Sequence, residues 1–377
     1  MANTLTGLIP TIHEAVDTVS RELVGFIPSV TLNATAEQVA KDQSINYPIV
    51  DAYTASDITP SNTSPDAGDT SFSYGTMSIS KSRKVAFDWT GEEQTSVGGL
   101  YQRLLADQFA QAMRTLINEV ETDIANLYTY ASRAYGTAGT TPFASTLAGT
   151  AQMLKILADN GAPQNELQLV INTAAGANLR TLAQLTKANE AADTSLLRRG
   201  VLLDIHGFKI RESAQVKAHT KGTGASYQVN NASTIAVGGT TVAADTGSGT
   251  VLAGDVVTFA ADTNNKYVVN TALSAGSFVI NKPGIRGSAI PDNNAITVGD
   301  SYSANMAFHR GAIHLLARVP KMPQGSSAAD VYEATDPISG ITFQIAMYPQ
   351  YRQTMYEVAL AWGVKAVKPE HMGILLG

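Results

Sequence analysis

Cysteine is absent from this chain of 377 residues, which excludes disulfides, thiolate metal sites and a cysteine nucleophile. Charge is scarce too: Asp, Glu, Lys and Arg make up 15% of the residues and leave a net charge of −6. Phosphate binding needs clustered Lys and Arg, so this balance argues against a nucleic-acid reader. Long apolar runs are missing, and no window approaches the roughly 20 residues that cross a bilayer. The opening stretch, Met1 to Ala15, lacks the basic region and apolar run of a secretory signal. The expectation is a soluble protein made in a cytoplasm, with no membrane partner.

Signatures of catalysis are lacking as well. No G-x-x-x-x-G-K-[ST] or G-x-G-x-x-G occurs; Gly222 and Gly224 give only a G-x-G, and there is no G-x-S-x-G elbow. His13, His206, His219, His309, His314 and His371 match no zinc or iron spacing, and His309 and His314, five apart, diverge on either a strand or a helix. Glu119 and Asp123 share a helix face at i,i+4 without companion ligands, and read as a solvated acidic strip. Lys81, Arg83 and Lys84 read as a solvated strand face rather than a phosphate site. The sequence thus assigns no catalytic, cofactor-binding or metal-binding residue and no cofactor, although a triad assembled from distant residues stays open at this level. A large chain without a site is organised for contacts.

What the sequence does contain is arranged around one stretch, from about Leu100 to Tyr135. Leu105, Phe109, Ala112, Leu116, Val120, Ile124, Leu127 and Ala131 recur at steps of three and four, the stripe of an amphipathic helix. Gln102, Arg103, Gln111, Arg114, Asn118, Glu121 and Arg133 take the opposite face. Gly98, Gly99 and Gly136 mark the ends, and Glu92-Glu93 supply an acidic start that suits the helix dipole. Such a helix, on the order of 50 Å long, is a spine for other elements.

Ahead of the spine, Thr11 to Val24 reads as a short amphipathic helix and Ser44 to Val50 as a strand, in an arm with no core of its own. Residues 57–75 are turn-rich, and Thr76 to Thr90 returns as an extended strand with Met77, Ile79, Val85, Phe87 and Trp89 in partial alternation. This two-stranded excursion is marginal alone, so it is expected to pack on another subunit. After the spine come a helix over Thr150 to Asn160, a buried strand Leu167 to Ile171, a helix over Ala174 to Leu185, and a strand with Phe208 and Ile210 inward.

Composition changes at Thr220: from Gly222 to Asp300 only eight side chains are charged. Short strand runs follow one another there: Tyr227–Val229, Thr234–Val237, Val256–Phe259, Tyr267–Val269, Ser277–Ile280 and Ala295–Val298. Their spacing is that of a small β-barrel or sandwich, with Val256, Val257, Phe259, Tyr267, Val269, Phe278 and Ile280 as its core. The flanks read as one continuous host, so this stretch is a separate module inserted into it. Beyond it, Asn305 to Ala317 reads as a short helix or loop feeding a strand, and Ile341–Met347 and Thr354–Val367 read as strands.

This order of parts resembles the major capsid (coat) protein of tailed bacteriophages, and the module narrows the likeness to the short-tailed phage group whose coat subunits carry an extra β domain. The stretches that carry it are Leu252-Ala-Gly-Asp-Val-Val-Thr-Phe259, Phe278-Val-Ile-Asn-Lys-Pro283, Phe308-His-Arg-Gly-Ala-Ile313, and Ala359 to Glu370 with Gly373 beyond. The resemblance implies an α+β fold with an N-terminal arm (1–45), an extended hairpin loop (46–92), a spine helix and α/β core (93–220), an inserted all-β, barrel-like domain (221–300) and a C-terminal part completing the central axial core (301–377). It implies no enzymatic activity, but an icosahedral shell of pentamers and hexamers around double-stranded DNA held only non-specifically. Its partners would be a scaffolding protein and a portal protein, with decoration proteins left open, in a virion assembled in the host cytoplasm. From the residues alone, a secreted or surface adhesin or carbohydrate-binding protein using the β-rich module is the alternative.

Overall fold

The spine helix runs from Tyr101 to Ala125 in a computed structural model of the protein, ten residues short of the expected Tyr135. That model describes residues 23–39, 41–49, 57–58, 60, 73–182, 185, 204–231, 234–322, 325, 328, 330–336 and 339–377. The expected helix from Thr11 and most of the turn-rich 57–75 stretch lie outside these residues. Past Ala125 the chain tightens into a 3-10 turn, Asn126–Tyr130, and then extends. Leu127 and Ala131 stay buried there, so the apolar spacing outlasts the helix. The carbonyls of Thr129 and Ala131, no longer needed by a helix, accept from the Asn281 side-chain amide at 2.7 and 2.9 Å.

Glu92 and Glu93 belong to a separate short helix, Gly91–Val97, rather than to the spine itself. Thr90 and Glu93 close a capping box, with the Glu93 N–H donating to Thr90 Oγ1 at 3.2 Å and the Thr90 N–H donating to Glu93 Oε2 at 2.9 Å. Gly98, at φ +56°, breaks that helix before the spine begins.

The strands up to residue 220 are β1 (Thr31–Val39), β2 (Ser44–Ile49), β3 (Ser73–Ser78), β4 (Lys81–Thr90), β5 (Arg133–Tyr135), β6 (Leu167–Ile171), β7 (Phe208–Glu212) and β8 (Ala218–His219). Then come β9 (Tyr227–Val229), β10 (Thr241–Asp245), β11 (Val256–Phe259), β12 (Asp262–Ser274), β13 (Ser277–Ile280) and β14 (Ala295–Val298). The last are β15 (Tyr302–His309), β16 (Ile313–Pro320), β17 (Asp330–Thr335), β18 (Thr342–Gln350), β19 (Gln353–Ala366) and β20 (Met372–Leu376). Helices Ala148–Asp159 and Thr173–Thr181 flank β6.

One sheet has the order β1-β16-β19-β18-β17, with β4 along the remaining edge of β19. The spine helix packs on its face: Phe109 meets Phe87 edge-on at 5.1 Å and Tyr356 at 5.6 Å. A second sheet runs β12-β5-β20-β15-β6-β7, and at β12 it joins a closed circuit in which β11, β14, β9, β10, β13 and β12 pair in turn and β12 pairs back to β11. Tyr227, Val257, Phe259, Tyr267, Val269, Phe278 and Ile280 fill that circuit. Val256, expected among them, packs instead in the main core with the spine, because neighbouring strand residues point to opposite faces.

Several expectations are corrected. The arm does find support in its own chain: Phe26, Ile27 and Val30 enter the main core, and β1 pairs in parallel with β16 from Thr31↔His314 onward. The segment Thr76–Thr90 is two strands rather than one, and β4 pairs with β19 of the same chain over its whole length. Asn305 to Ala317 forms no helix; β15 and β16 fill it, separated by a 3-10 turn at Arg310–Ala312. Of Thr234–Val237 only Ile235 bridges, to Ile290.

Candidate functional site

The residues singled out for chemistry are held in structural contacts. Asp123, expected in a solvated acidic strip, accepts from Lys81 Nζ at 2.8 Å and from the Trp362 indole N–H at 2.8 Å, with its side chain only 13% exposed. It ties the spine to the sheet below. Glu119 faces Arg83 at 3.8 Å and Lys84 pairs with Glu357 at 3.1 Å, so two of the strand cations point at partners across a half-open surface. Surface pairs of this kind contribute little.

His309 and His314 do not converge. His309 Nδ1 accepts the Gly311 N–H at 3.1 Å and its ring stands edge-on to His371 at 6.4 Å, whereas His314 stacks on Tyr47 at 6.5 Å. Burial pushes the His314 and His371 imidazoles below their ordinary range. Among the described residues, no three His, Asp or Glu side chains are grouped to hold a metal ion.

One constellation escaped sequence reasoning. His219, at the start of the β-rich segment, lies between Asp255 (Nε2 to Oδ1, 2.8 Å) and the Tyr128 hydroxyl (Nδ1 to Oη, 2.8 Å). Asp255 also accepts from the Leu252 N–H at 2.7 Å and the Gly222 N–H at 3.0 Å. The chain of acid, imidazole and hydroxyl imitates a relay, but its acid and imidazole are buried and tightly packed. A Cβ on Gly254 would come within 2.9 Å of the Tyr128 ring and 3.0 Å of His219, and Tyr302 donates to the Gly254 carbonyl at 2.6 Å. Burial, with the Asp255 charge behind it, raises the Tyr128 phenol above its ordinary value. The cluster is a clasp between the spine end and the β9–β14 circuit.

Large side chains stand exposed at two places outside these clusters. The β2–β3 ribbon is rooted on its own sheet by Met77, Ile79, Leu316 and Ala361, with Tyr47 beside them. Lys365 Nζ donates to the Thr76 carbonyl at 2.5 Å, and a Cβ at Gly363 would lie 2.0 Å from the Ser78 carbonyl oxygen. The ribbon leaves Tyr74 exposed at 67%, and Ile45, cross-strand from the root residue Met77, at 37%. Tyr351, at the β18–β19 turn, is 90% exposed above an open cleft lined by Thr90, Glu92, Thr95, Ser96 and Gln353. Isolated apolar side chains on a surface are ordinary.

No protein-family model matches the sequence, and no curated protein matches it. Among solved structures, the chain resembles the capsid structure of the cyanophage P-SCSP1u with a TM-score of 0.51 at 11% identity, over 94% of this chain and 88% of that one. It is also similar to the mature capsid of bacteriophage PhiM1 (TM-score 0.48, 10% identity, 93% and 86% covered) and to a virus-like particle from Pyrococcus furiosus (0.45, 9%, 98% and 99%).

Proposed function

We propose that this chain, which has the capsid fold of tailed phages, is a major capsid protein that self-assembles into the icosahedral shell enclosing phage double-stranded DNA. The observation that carries the reading is the match in fold to the cyanophage capsid across nearly the whole chain. The β2–β3 ribbon and the β18–β19 turn support it, because both present large side chains that the subunit itself leaves uncovered. The net charge of −6 suits a wall that surrounds DNA without gripping it.

In this reading the chain acts through its contacts with copies of itself in pentamers and hexamers, and carries out no catalysis. A scaffolding protein, a portal and decoration proteins complete the assembly, which forms in the host cytoplasm and ends as a virion. The partition into arm (1–45), hairpin loop (46–92), spine and core (93–220), inserted β domain (221–300) and C-terminal completion (301–377) belongs to the same proposal. What favours an inserted domain is the circuit of β9 to β14 around its own core, together with β8, before it, pairing to β15, after it, at Tyr302↔His219.

The test is to express the full chain alone and together with the genes flanking its own, then to examine both by sedimentation and negative-stain microscopy. Closed shells or capsomers are expected. A fully ordered monomer in both preparations, at every salt and protein concentration tried, would overturn the reading.

A further inference from the structure

Helix Ala148–Asp159 ends on the one Asn-Gly pair in the sequence, Asn160 and Gly161. Asn160 sits at φ −89° and ψ 2°, and Gly161 turns left-handed at φ +78°. The Gly161 N–H donates to the Ala158 carbonyl and the Ala162 N–H to the Leu157 carbonyl, both at 2.9 Å, which closes the helix in a Schellman turn. The Asn160 side chain is held from three directions. Its Nδ2 donates to the Ser132 hydroxyl at 3.0 Å and to the Glu370 carbonyl at 2.7 Å, and its Oδ1 accepts from Arg133 Nη2 at 3.2 Å. The same guanidinium donates to the Ile156 carbonyl at 3.2 Å, and Arg286, from the β9–β14 circuit, donates to the Asp159 carbonyl.

We propose that Asn160–Gly161 is a deamidation site that the folded chain keeps closed and that opening of this helix end releases. An asparagine followed by glycine is labile because no Cβ shields the next backbone nitrogen. The Gly161 nitrogen attacks Asn160 Cγ and a C–N bond forms; the side-chain amine leaves with the Gly161 proton as ammonia. Water then opens one or the other C–N bond of the cyclic imide, leaving aspartate or isoaspartate. Native geometry blocks the first step. At ψ 2° the Gly161 nitrogen eclipses the Asn160 nitrogen and is turned away from the side chain. Its N–H is engaged by Ala158, and the amide it would attack is pinned by Ser132, Arg133 and Glu370. The second step is not blocked: Gly161 is exposed, and a Cβ built on it would meet no atom within 4 Å.

Opening therefore precedes reaction, and the rate in the folded chain is the unfolded-chain rate multiplied by the fraction of time that the helix end is open. Once formed, the product does not reseat. Arg133 would hold the new charge, but a carboxylate has no hydrogen to give the Glu370 carbonyl that it faces. Nor has it one for the Ser132 oxygen, whose own proton goes to the Met372 carbonyl at 2.6 Å. Isoaspartate also lengthens the backbone by one carbon, for which the 2.9 Å bonds of the turn leave no room. The altered segment lies where the circuit meets its host, between Arg286 and the Arg133 guanidinium that reaches Asn265 at 2.8 Å. Conversion thus leaves a lasting covalent record of loosening at that seam.

The test is to incubate the full folded chain, and the same chain unfolded in guanidinium chloride, in one mildly alkaline buffer and to follow tryptic peptides by mass spectrometry. The peptide holding Asn160 runs from Ile156 to Arg180 and carries Asn165, Asn172 and Asn178 as internal comparators. In denaturant Asn160 is expected to convert before these three. In the folded chain it should convert at least about a hundredfold more slowly than in denaturant. Arg286→Ala, at an exposed position, and Ser132→Ala should each raise the folded-chain rate by the factor by which they raise hydrogen exchange at Gly161 and Ala162. Equal rates in denaturant and in the folded chain, no preference for Asn160 in denaturant, or a variant whose amides exchange faster while Asn160 converts no sooner would each overturn the proposal. Native exchange at both amides in both variants would do the same.

Discussion

Truncating Phe259 to Ala asks how far the β9–β14 circuit stands apart from the rest of the subunit. The ring is fully buried in the circuit's core, 5.8 Å from that of Tyr267. Its removal should cost about 3–5 kcal/mol, the transfer of the ring plus the cavity left behind. Among the contacts that join the circuit to its host are the pairing of β12 with β5 at Lys266 and Tyr267, the Asn281 amide on Thr129 and Ala131, the Arg133 guanidinium on Asn265, the His219–Asp255 clasp, the Tyr302 hydroxyl on Gly254, and Val256 and Val268 in the main core. Phe259 belongs to none of these contacts and packs in the circuit's own core. The loss should therefore act locally, raising the opening of the circuit roughly a hundredfold to several thousandfold at about 1.4 kcal/mol per tenfold. Exchange of amides in β9, β10, β13 and β14 should speed up by that factor while those of Leu105 to Ile124 hold their native rates. Equal acceleration in the spine would show that circuit and host unfold as one unit. Unchanged rates in the circuit would show that its core does not depend on the ring. Val256→Ala, by contrast, removes packing from the main core and should speed exchange in the spine as well.

Three further perturbations follow from single contacts. Asp255→Asn places an amide donor among the N–H groups of His219, Leu252 and Gly222, and should cost about 1–3 kcal/mol in a denaturant melt; the exposed pair partner Asp300, changed to Asn, should leave the melt unmoved. Trp362→Phe removes the indole N–H that Asp123 accepts at 2.8 Å and leaves a partly filled pocket, for a loss of about 2 kcal/mol or more by the same measurement. Gly363→Ala drives a methyl into the Ser78 carbonyl and should lift the β2–β3 ribbon from its root. Faster proteolysis between β2 and β3 and impaired assembly on sedimentation are expected, and native behaviour in both would refute the close fit.

Strands with dense apolar, β-branched side chains between turn residues were legible to the residue: Leu167–Ile171, Val256–Phe259 and Ser277–Ile280 form where their local pattern puts them. The spine was legible as a helix but not in its length, because Leu127 and Ala131 fit the helical period yet are buried by a 3-10 turn and an extended segment. The polar strand Thr31–Val39 had no signal at all, since its order comes from parallel pairing with β16, some 280 residues away. The same distance hid Glu121, 95 residues from the Phe26 amide it receives, and the Tyr128–His219–Asp255 clasp, whose members lie 91 and 36 residues apart. The sequence by itself determined the elements whose burial follows from a side-chain period, and the lack of any recognisable catalytic motif. The tertiary structure alone decided where helices stop, which strands close the circuit and which charges are buried, because those outcomes depend on hydrogen-bond partners and low-dielectric surroundings that distant parts of the chain supply.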